Sequence, residues 1–227
     1  MSLARPSEAL PAPRLVLATD NAGKVAEFRR LLVPFAQRIM TLQDVAFRQK
    51  LHEPGVQYAD NALAKAKAVS EATGLWALGD DSGIEVDELH GWPGPESARW
   101  LSSEATDADR LRGLLAEVAA RSPSDARVRY VCVVALARPN AEPVLARGEC
   151  FGMLVEPRGS RGFGYDPGFL SADLGVTFGE AADAAKDRVS HRARAIARLA
   201  ESGLLAARYA KPQRTGTRSG SGSLHTP

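Results

Sequence analysis

The run Val128–Ala137, VRYVCVVALA, is the most β-rich stretch in the chain, and it constrains the fold more than any other segment. A strand cannot satisfy its backbone groups alone, so such a run demands a neighbour. Val144–Val155 supplies one, reached through a turn at Pro139-Asn140. Shorter apolar runs, Leu15–Ala18, Leu75–Gly79 and Ile84–Leu89, read as further strands. Between them lie helical patterns. Val25, Phe28, Leu31 and Leu32 share one face, and Tyr58, Ala62, Ala66, Val69 and Thr73 share another in a helix over 57–73 that stops at Gly74. Thr106 is a good N-cap for a helix carrying Leu111, Leu114, Leu115 and Val118, with Asp107 and Asp109 near its positive end. A last helix is expected over about 187–209. Strands and helices are interspersed without strict alternation, which gives an α/β class with a mixed sheet.

The chain has 227 residues, enough to bury a core without metal or disulfide staples. Residues 1–13 read as a polar, proline-rich leader without the apolar segment of a secretory signal. Residues 14–210 read as one continuous unit, and 211–227 as a Gly/Ser-rich disordered tail. No apolar run approaches the ~18–20 residues that cross a bilayer. The net charge of +2 is a property of the tail. Without Lys211, Arg214 and Arg218 the remainder holds 26 basic and 27 acidic residues, which gives no electrostatic case for nucleic acid. Cys132 and Cys150 form no metal-spaced pair, and the expected setting is cytoplasmic.

Four constellations can carry chemistry. In Thr19-Asp20-Asn21-Ala22-Gly23-Lys24, a strand-to-helix turn aims free backbone N–H groups where a phosphate can sit, and Lys24 adds a compact cation. The segment is not a Walker A loop, because Val25 stands where Ser or Thr is needed. Asn21 serving only as an N-cap, with Lys24 solvated, is the alternative. In Gly79-Asp80-Asp81-Ser82-Gly83, hard carboxylate oxygens suit Mg²⁺ and can orient or deprotonate a water. A solvated turn is the competing reading, and if the strand continues through them the two carboxylates face opposite ways. Glu53 lies ahead of the second helix as a further carboxylate.

The third constellation is GFGYDPGF, residues 162–169. Its glycines let backbone approach a ligand, and Phe163 or Tyr165 can either stack on a flat base or simply pack into the core. The fourth is Lys186 with Ser190-His191-Arg192. A cation, an imidazole and a guanidinium together suit phosphates and a base edge, while a solvated basic helix face is the plainer alternative.

Taken in order, TDNAGKVAEF, Glu53 with YADNALAKA, LGDDSGIEVDELHGWPGPESAR, GFGYDPGF, and Lys186 with SHRARAI resemble the inosine triphosphate pyrophosphatase family over about residues 14–205. The resemblance implies an elongated mixed β-sheet with flanking helices forming two lobes around a central cleft. It implies a Mg²⁺-dependent homodimer that hydrolyses ITP, dITP and XTP to the monophosphate and pyrophosphate. By position, Thr19–Lys24 would bind the triphosphate and Asp81 would be the catalytic carboxylate and a metal ligand. Ser82 would lie beside the substrate, and Glu53 would be a second metal ligand. Phe163, Gly164, Tyr165 and Asp166 would form the nucleotide loop, with Lys186, His191 and Arg192 contacting substrate. A Maf-like nucleotide pyrophosphatase and a non-catalytic nucleotide-binding protein are the rival readings.

Overall fold

A computed structural model describes residues 14–102, 104–121 and 126–205. The expected leader, residues 1–13, and tail, residues 211–227, lie outside the described residues, as do residues 206–210 of the expected unit. Strand β1 (Leu15–Leu17) leads into α1 (Ala22–Leu32), then a two-residue strand β2 (Ile39–Met40), α2 (Tyr58–Thr73) and β3 (Trp76–Val86). After α3 (Asp107–Arg121) come the long strands β4 (Arg127–Arg138) and β5 (Ala141–Leu154), then β6 (Phe169–Ser171), α4 (Asp183–Val189) and α5 (His191–Glu201). One sheet has the order β2-β1-β3-β4-β5-β6. The first three strands run parallel and the rest antiparallel, the mixed sheet expected from the interspersed pattern.

Local signals explain most boundaries. Asn21 caps α1, its side chain accepting from the Lys24 N–H. Gly74 ends α2 in a left-handed conformation, φ 66°. At α3 the Thr106 hydroxyl accepts the Asp109 N–H while the Asp109 carboxylate takes the Thr106 N–H, a reciprocal cap. Asn140 turns the β4–β5 hairpin at φ 55°, so β5 begins at Ala141, earlier than the residue pattern suggests.

Two expectations need correction. The glycine-flanked acidic motif is not a break between two strands. β3 runs through it, paired residue by residue with β4, Asp80 opposite Val134 and Asp81 opposite Val133. Nor is there one terminal helix. Ser190 closes α4 and, in extended backbone, caps α5 by accepting from the Ala193 N–H.

Because side chains alternate along a strand, β3 places Leu78, Asp80, Ser82, Ile84 and Val86 on one face and Ala77, Gly79, Asp81, Gly83 and Glu85 on the other. On the first face, one apolar group gathers Leu78, Val134 and Leu136 under Phe28 of α1 and Ile196 of α5. A second gathers Ile84, Val86, Val128 and Tyr130 with Leu111 and Leu114 of α3. Asp80 and Ser82 lie between these two cores, where the apolar alternation lapses, and a cleft opens above Ser82. The other face is covered by α2, whose Ala62 and Ala66 pack on Val131, Val133 and Ala135. Gly79 allows that approach, since a Cβ there would lie 2.2 Å from the Ala62 carbonyl oxygen.

Candidate active site

The cleft is walled by Asn21, Lys24, Ser82, Tyr130, Phe163 and Arg192, together with Tyr165, Asp166, His191 and, on the rim, Asp107 and Arg110. Lys24 is not a solvated first-turn residue. Its ammonium reaches down to Asp80 at 2.9 Å. Burial alone would raise the Asp80 carboxyl, but Lys24, Lys65 and Arg192 together hold it below the usual carboxylate range. Thr19 accepts a hydrogen bond from the Asn21 N–H. Thr19, Asp20 and Ala22 face a neighbouring groove beside Thr41 and Gln43, so only part of the turn lines the cleft. Gly23 has no room for a side chain, because a Cβ would sit 2.5 Å from the Phe163 ring. That contact seats the 162–169 loop against the turn.

The basic cluster at the start of α5 is buried, contrary to the reading of a solvated face: His191 is 1% exposed and Arg192 4%. The Arg192 guanidinium donates to Glu27 at 2.8 Å and to the Ser82 hydroxyl at 2.9 Å, and lies 5.0 Å from the Phe163 ring centre. Lys186 donates to Glu27 at 2.6 Å and to Asp166. It is therefore held by two carboxylates behind the cleft wall. Glu27, inside the TDNAGKVAEF segment and one turn after Lys24, balances both cations. Burial pushes its carboxyl up, and Arg192 and Lys186 more than reverse that. Asp166 is left raised by burial despite Lys186. His191 stacks on Tyr130, ring centres 4.6 Å apart, with its Nδ1 3.9 Å from the Cys150 sulfur. Burial depresses its pKa well below the ordinary 6.5, so the imidazole is neutral.

The nucleotide loop divides its labour. Tyr165 is committed inward, its hydroxyl donating to the Ser97 carbonyl at 2.6 Å and accepting from Trp100 at 2.7 Å. Asp166 accepts from the Phe163 N–H at 2.8 Å and so shapes the loop. The Gly164 N–H donates to Asp107 at 2.7 Å, tying the loop to α3. Phe163 is the aromatic ring left to meet a flat ligand.

Asp81 lies on the other face of β3, and with it a second half of the site. Its Oδ2 accepts from Asn61 at 2.8 Å and its Oδ1 from the Ser82 N–H at 3.0 Å. Burial raises the Asp81 carboxyl above its ordinary range. Glu53 pairs with Lys65 at 2.5 Å and with Arg99. Those cations overcome burial and hold Glu53 low. The charges of Asp80, Glu53 and Asp81 all act on the Lys65 ammonium, and Lys24 acts on both Asp80 and Asp81. Among the described residues no three His, Cys, Asp or Glu side chains form a ready metal cage. An ion held by one or two carboxylates plus water and substrate phosphates needs none. The oxygens of Asp81 and Glu53 are hard donors of the kind such an ion takes, and Asp80 Oδ1 is buried without a partner.

Sequence reasoning missed Glu27, Asn61, Lys65, Arg99, Asp107 and Arg110 as site residues. Asn61 and Lys65 had a signal, being polar and four apart on a helix whose neighbouring stripe is apolar. Glu27 had none beyond lying one turn from Lys24.

The profile of the Ham1 family matches residues 15–202. A dITP/XTP pyrophosphatase of Symbiobacterium thermophilum is 49% identical over 189 residues, covering 83% of this chain and 93% of that relative. A dITP/XTP pyrophosphatase of Bacillus licheniformis is 38% identical over 186 residues, covering 82% and 95%. The solved structure of a HAM1 protein from Coxiella burnetii superposes with a TM-score of 0.74 at 33% identity, covering 84% of this chain and 98% of that one. A Ham1 protein from Staphylococcus aureus gives 0.73 at 30%, covering 84% and 97%. With the family profile spanning most of the chain and relatives matching along nearly their whole length, this chain belongs to the Ham1 family.

Proposed function

We propose that the chain is a nucleoside triphosphate pyrophosphatase hydrolysing deaminated purine nucleotides, ITP, dITP and XTP, to the monophosphate and pyrophosphate. The observation that carries this reading is the division of β3. Ser82 opens into a cleft with an aromatic ring and an imidazole, while its neighbour Asp81 joins a cluster of carboxylates and cations. A flat base and a charged phosphate chain need those two environments side by side.

In this reading Lys24 and the N–H groups of the α1 turn hold the phosphates. Asp81, its carboxyl held above its ordinary value by burial, accepts the proton of the attacking water. The water oxygen bonds to phosphorus at the α–β bridge, and the pyrophosphate oxygen leaves with the bond's electrons. Asp81 and Glu53 are the residues that would hold Mg²⁺, which when bound supplies charge neutralisation to the phosphates. Phe163 stacks on the base, and His191 and Arg192 meet its edge. A site built to hydrogen-bond the 6-keto edge leaves polar groups unpaired when adenine enters, which discriminates strongly.

The chain would act as a homodimer in the cytoplasm. No described helix is long and apolar enough to cross a membrane. Pyrophosphate release from ITP, dITP, XTP, ATP, GTP and UTP with Mg²⁺ tests the activity, and sedimentation tests the dimer. Turnover of ITP and XTP far above ATP and GTP is expected. Preference for UTP would favour a Maf-like activity, and no turnover with tight binding would favour a sensor.

A further inference from the structure

We propose that Asn61 is a positioning residue that aims the Asp81 carboxylate and, through the same amide, holds the loop carrying Glu53. This deepens the reading above and rests on it. Asn61 lies in the first turns of α2 and is fully buried, 0% exposed. Its Oδ1 accepts from the Gly55 N–H at 3.0 Å, and its Nδ2 donates to the Gly55 carbonyl at 3.0 Å. The same Nδ2 donates to Asp81 Oδ2 at 2.8 Å. Both amide protons and the amide oxygen are thus in use, which is the full complement of donors and an acceptor for this side chain.

That accounting locks the orientation. An amide turned over would place its oxygen against both the Gly55 carbonyl and the Asp81 carboxylate, three acceptors facing one another without a proton. The backbone of Gly55 therefore dictates which end of Asn61 faces β3, and that end is the donor. Asp81 receives one neutral donor on each oxygen, from Asn61 and from the Ser82 N–H, and keeps its remaining lone pairs for water and for a metal. Glu53 lies two residues before the clipped Gly55. One side chain thereby sets the relation between the two carboxylates that the proposed reaction needs, although it touches neither substrate nor the reacting atoms.

The obvious variant is Asn61→Ala, and Asn61→Asp is a near-isosteric second. Asn61→Asp retains an acceptor for the Gly55 N–H but loses both donors. Three measurements are made beside the wild type: kcat and KM on ITP with saturating Mg²⁺, thermal unfolding, and calorimetric binding of the non-hydrolysable α,β-methylene analogue of ITP. Outer-shell partners of ligating groups typically carry 10–100-fold in activity, so kcat should fall by about 10–100-fold. KM and analogue affinity should stay within about threefold, because the lost contact serves the reacting geometry and not binding. In an Asp81→Asn background the Asn61→Ala change should cost almost nothing further. A folded variant with near-wild-type kcat overturns the proposal. So does a parallel loss of kcat and analogue binding, an undiminished effect in the Asp81→Asn background, or failure of both variants to fold, each of which makes Asn61 a plain stability residue. Absence of ITP turnover in the wild type would instead remove the proposed function itself.

Discussion

Glu27 offers the sharpest test of how the site is held. Its carboxylate, 4% exposed, bridges Lys186 at 2.6 Å and Arg192 at 2.8 Å, and with Asp166 it makes a buried set of two acids and two bases. Glu27→Ala leaves one buried positive charge without its counter-charge. Breaking a buried pair by removing one partner costs about 3–5 kcal/mol, because the remaining ion has lost both water and its partner. At roughly 2–4 °C per kcal/mol for a domain of this size, the melting temperature should fall by about 6–20 °C. Glu27→Gln keeps the shape and some hydrogen bonding, and should fall between Glu27→Ala and the wild type. The pH dependence follows from the depressed carboxyl. A group whose folded pKa lies below its unfolded value stabilises above the unfolded pKa, here the ordinary 4.5, and loses that contribution as pH falls through the folded one. The gap between wild type and Glu27→Ala should therefore be full at pH 7 and shrink below about 4.5. Thermal unfolding by circular dichroism from pH 3 to 7 is the measurement. A loss below about 1 kcal/mol at pH 7, or a gap that widens on acidification, would refute the reasoning.

Further outcomes are expected. Asp81→Asn should lose at least ~10² in kcat while binding nucleotide, since an amide cannot take the water's proton; near-normal turnover would move the base elsewhere. Lys24→Ala should weaken ITP, XTP, ATP and GTP about equally in kcat/KM. Arg192→Ala should lower ITP and XTP more than ATP, narrowing preference by about one to a few kcal/mol; uniform loss across all four would place Arg192 on phosphate. Gly23→Ala drives a Cβ into the Phe163 ring, so kcat/KM on ITP should drop with little change in melting temperature, and an unaltered kcat/KM would show that the loop seat is slack. Chelation of Mg²⁺ should abolish turnover and its return restore it, which pyrophosphate release reads directly.

Much of the architecture was legible because its causes are local. Residues 128–137 are β-rich whatever surrounds them, Gly74 ends α2 because a left-handed position favours glycine, and Thr106 caps α3 with a side chain three residues from its partner. The ordered motifs likewise carried the family, and with it Asp81, Phe163 and Arg192 as residues to examine. Where residue patterns failed, the competing cause was long-range. Gly79 and Gly83 looked like punctuation, yet the neighbouring strand pairs through them, and the missing side chains admit α2 and the Gly94 carbonyl. The two-residue β2 is a strand only because β1 lies beside it.

The sequence by itself therefore determined most of the helices and the long strands, which residues bring charge, and that a carboxylate-rich segment follows a phosphate-suited turn. Tertiary structure decided which of those charges are available to a ligand. Lys186 looked like a free cation and is clasped by Glu27 and Asp166, more than a hundred residues and twenty residues away in the chain. Asp80 and Asp81 are adjacent, yet one is locked to Lys24 and the other held by Asn61. The reason is physical: a strand sends neighbouring side chains to opposite faces, and what each meets there is set by helices that arrive from distant parts of the chain. Burial then makes every one of those meetings obligatory, because a charge removed from water must find a partner.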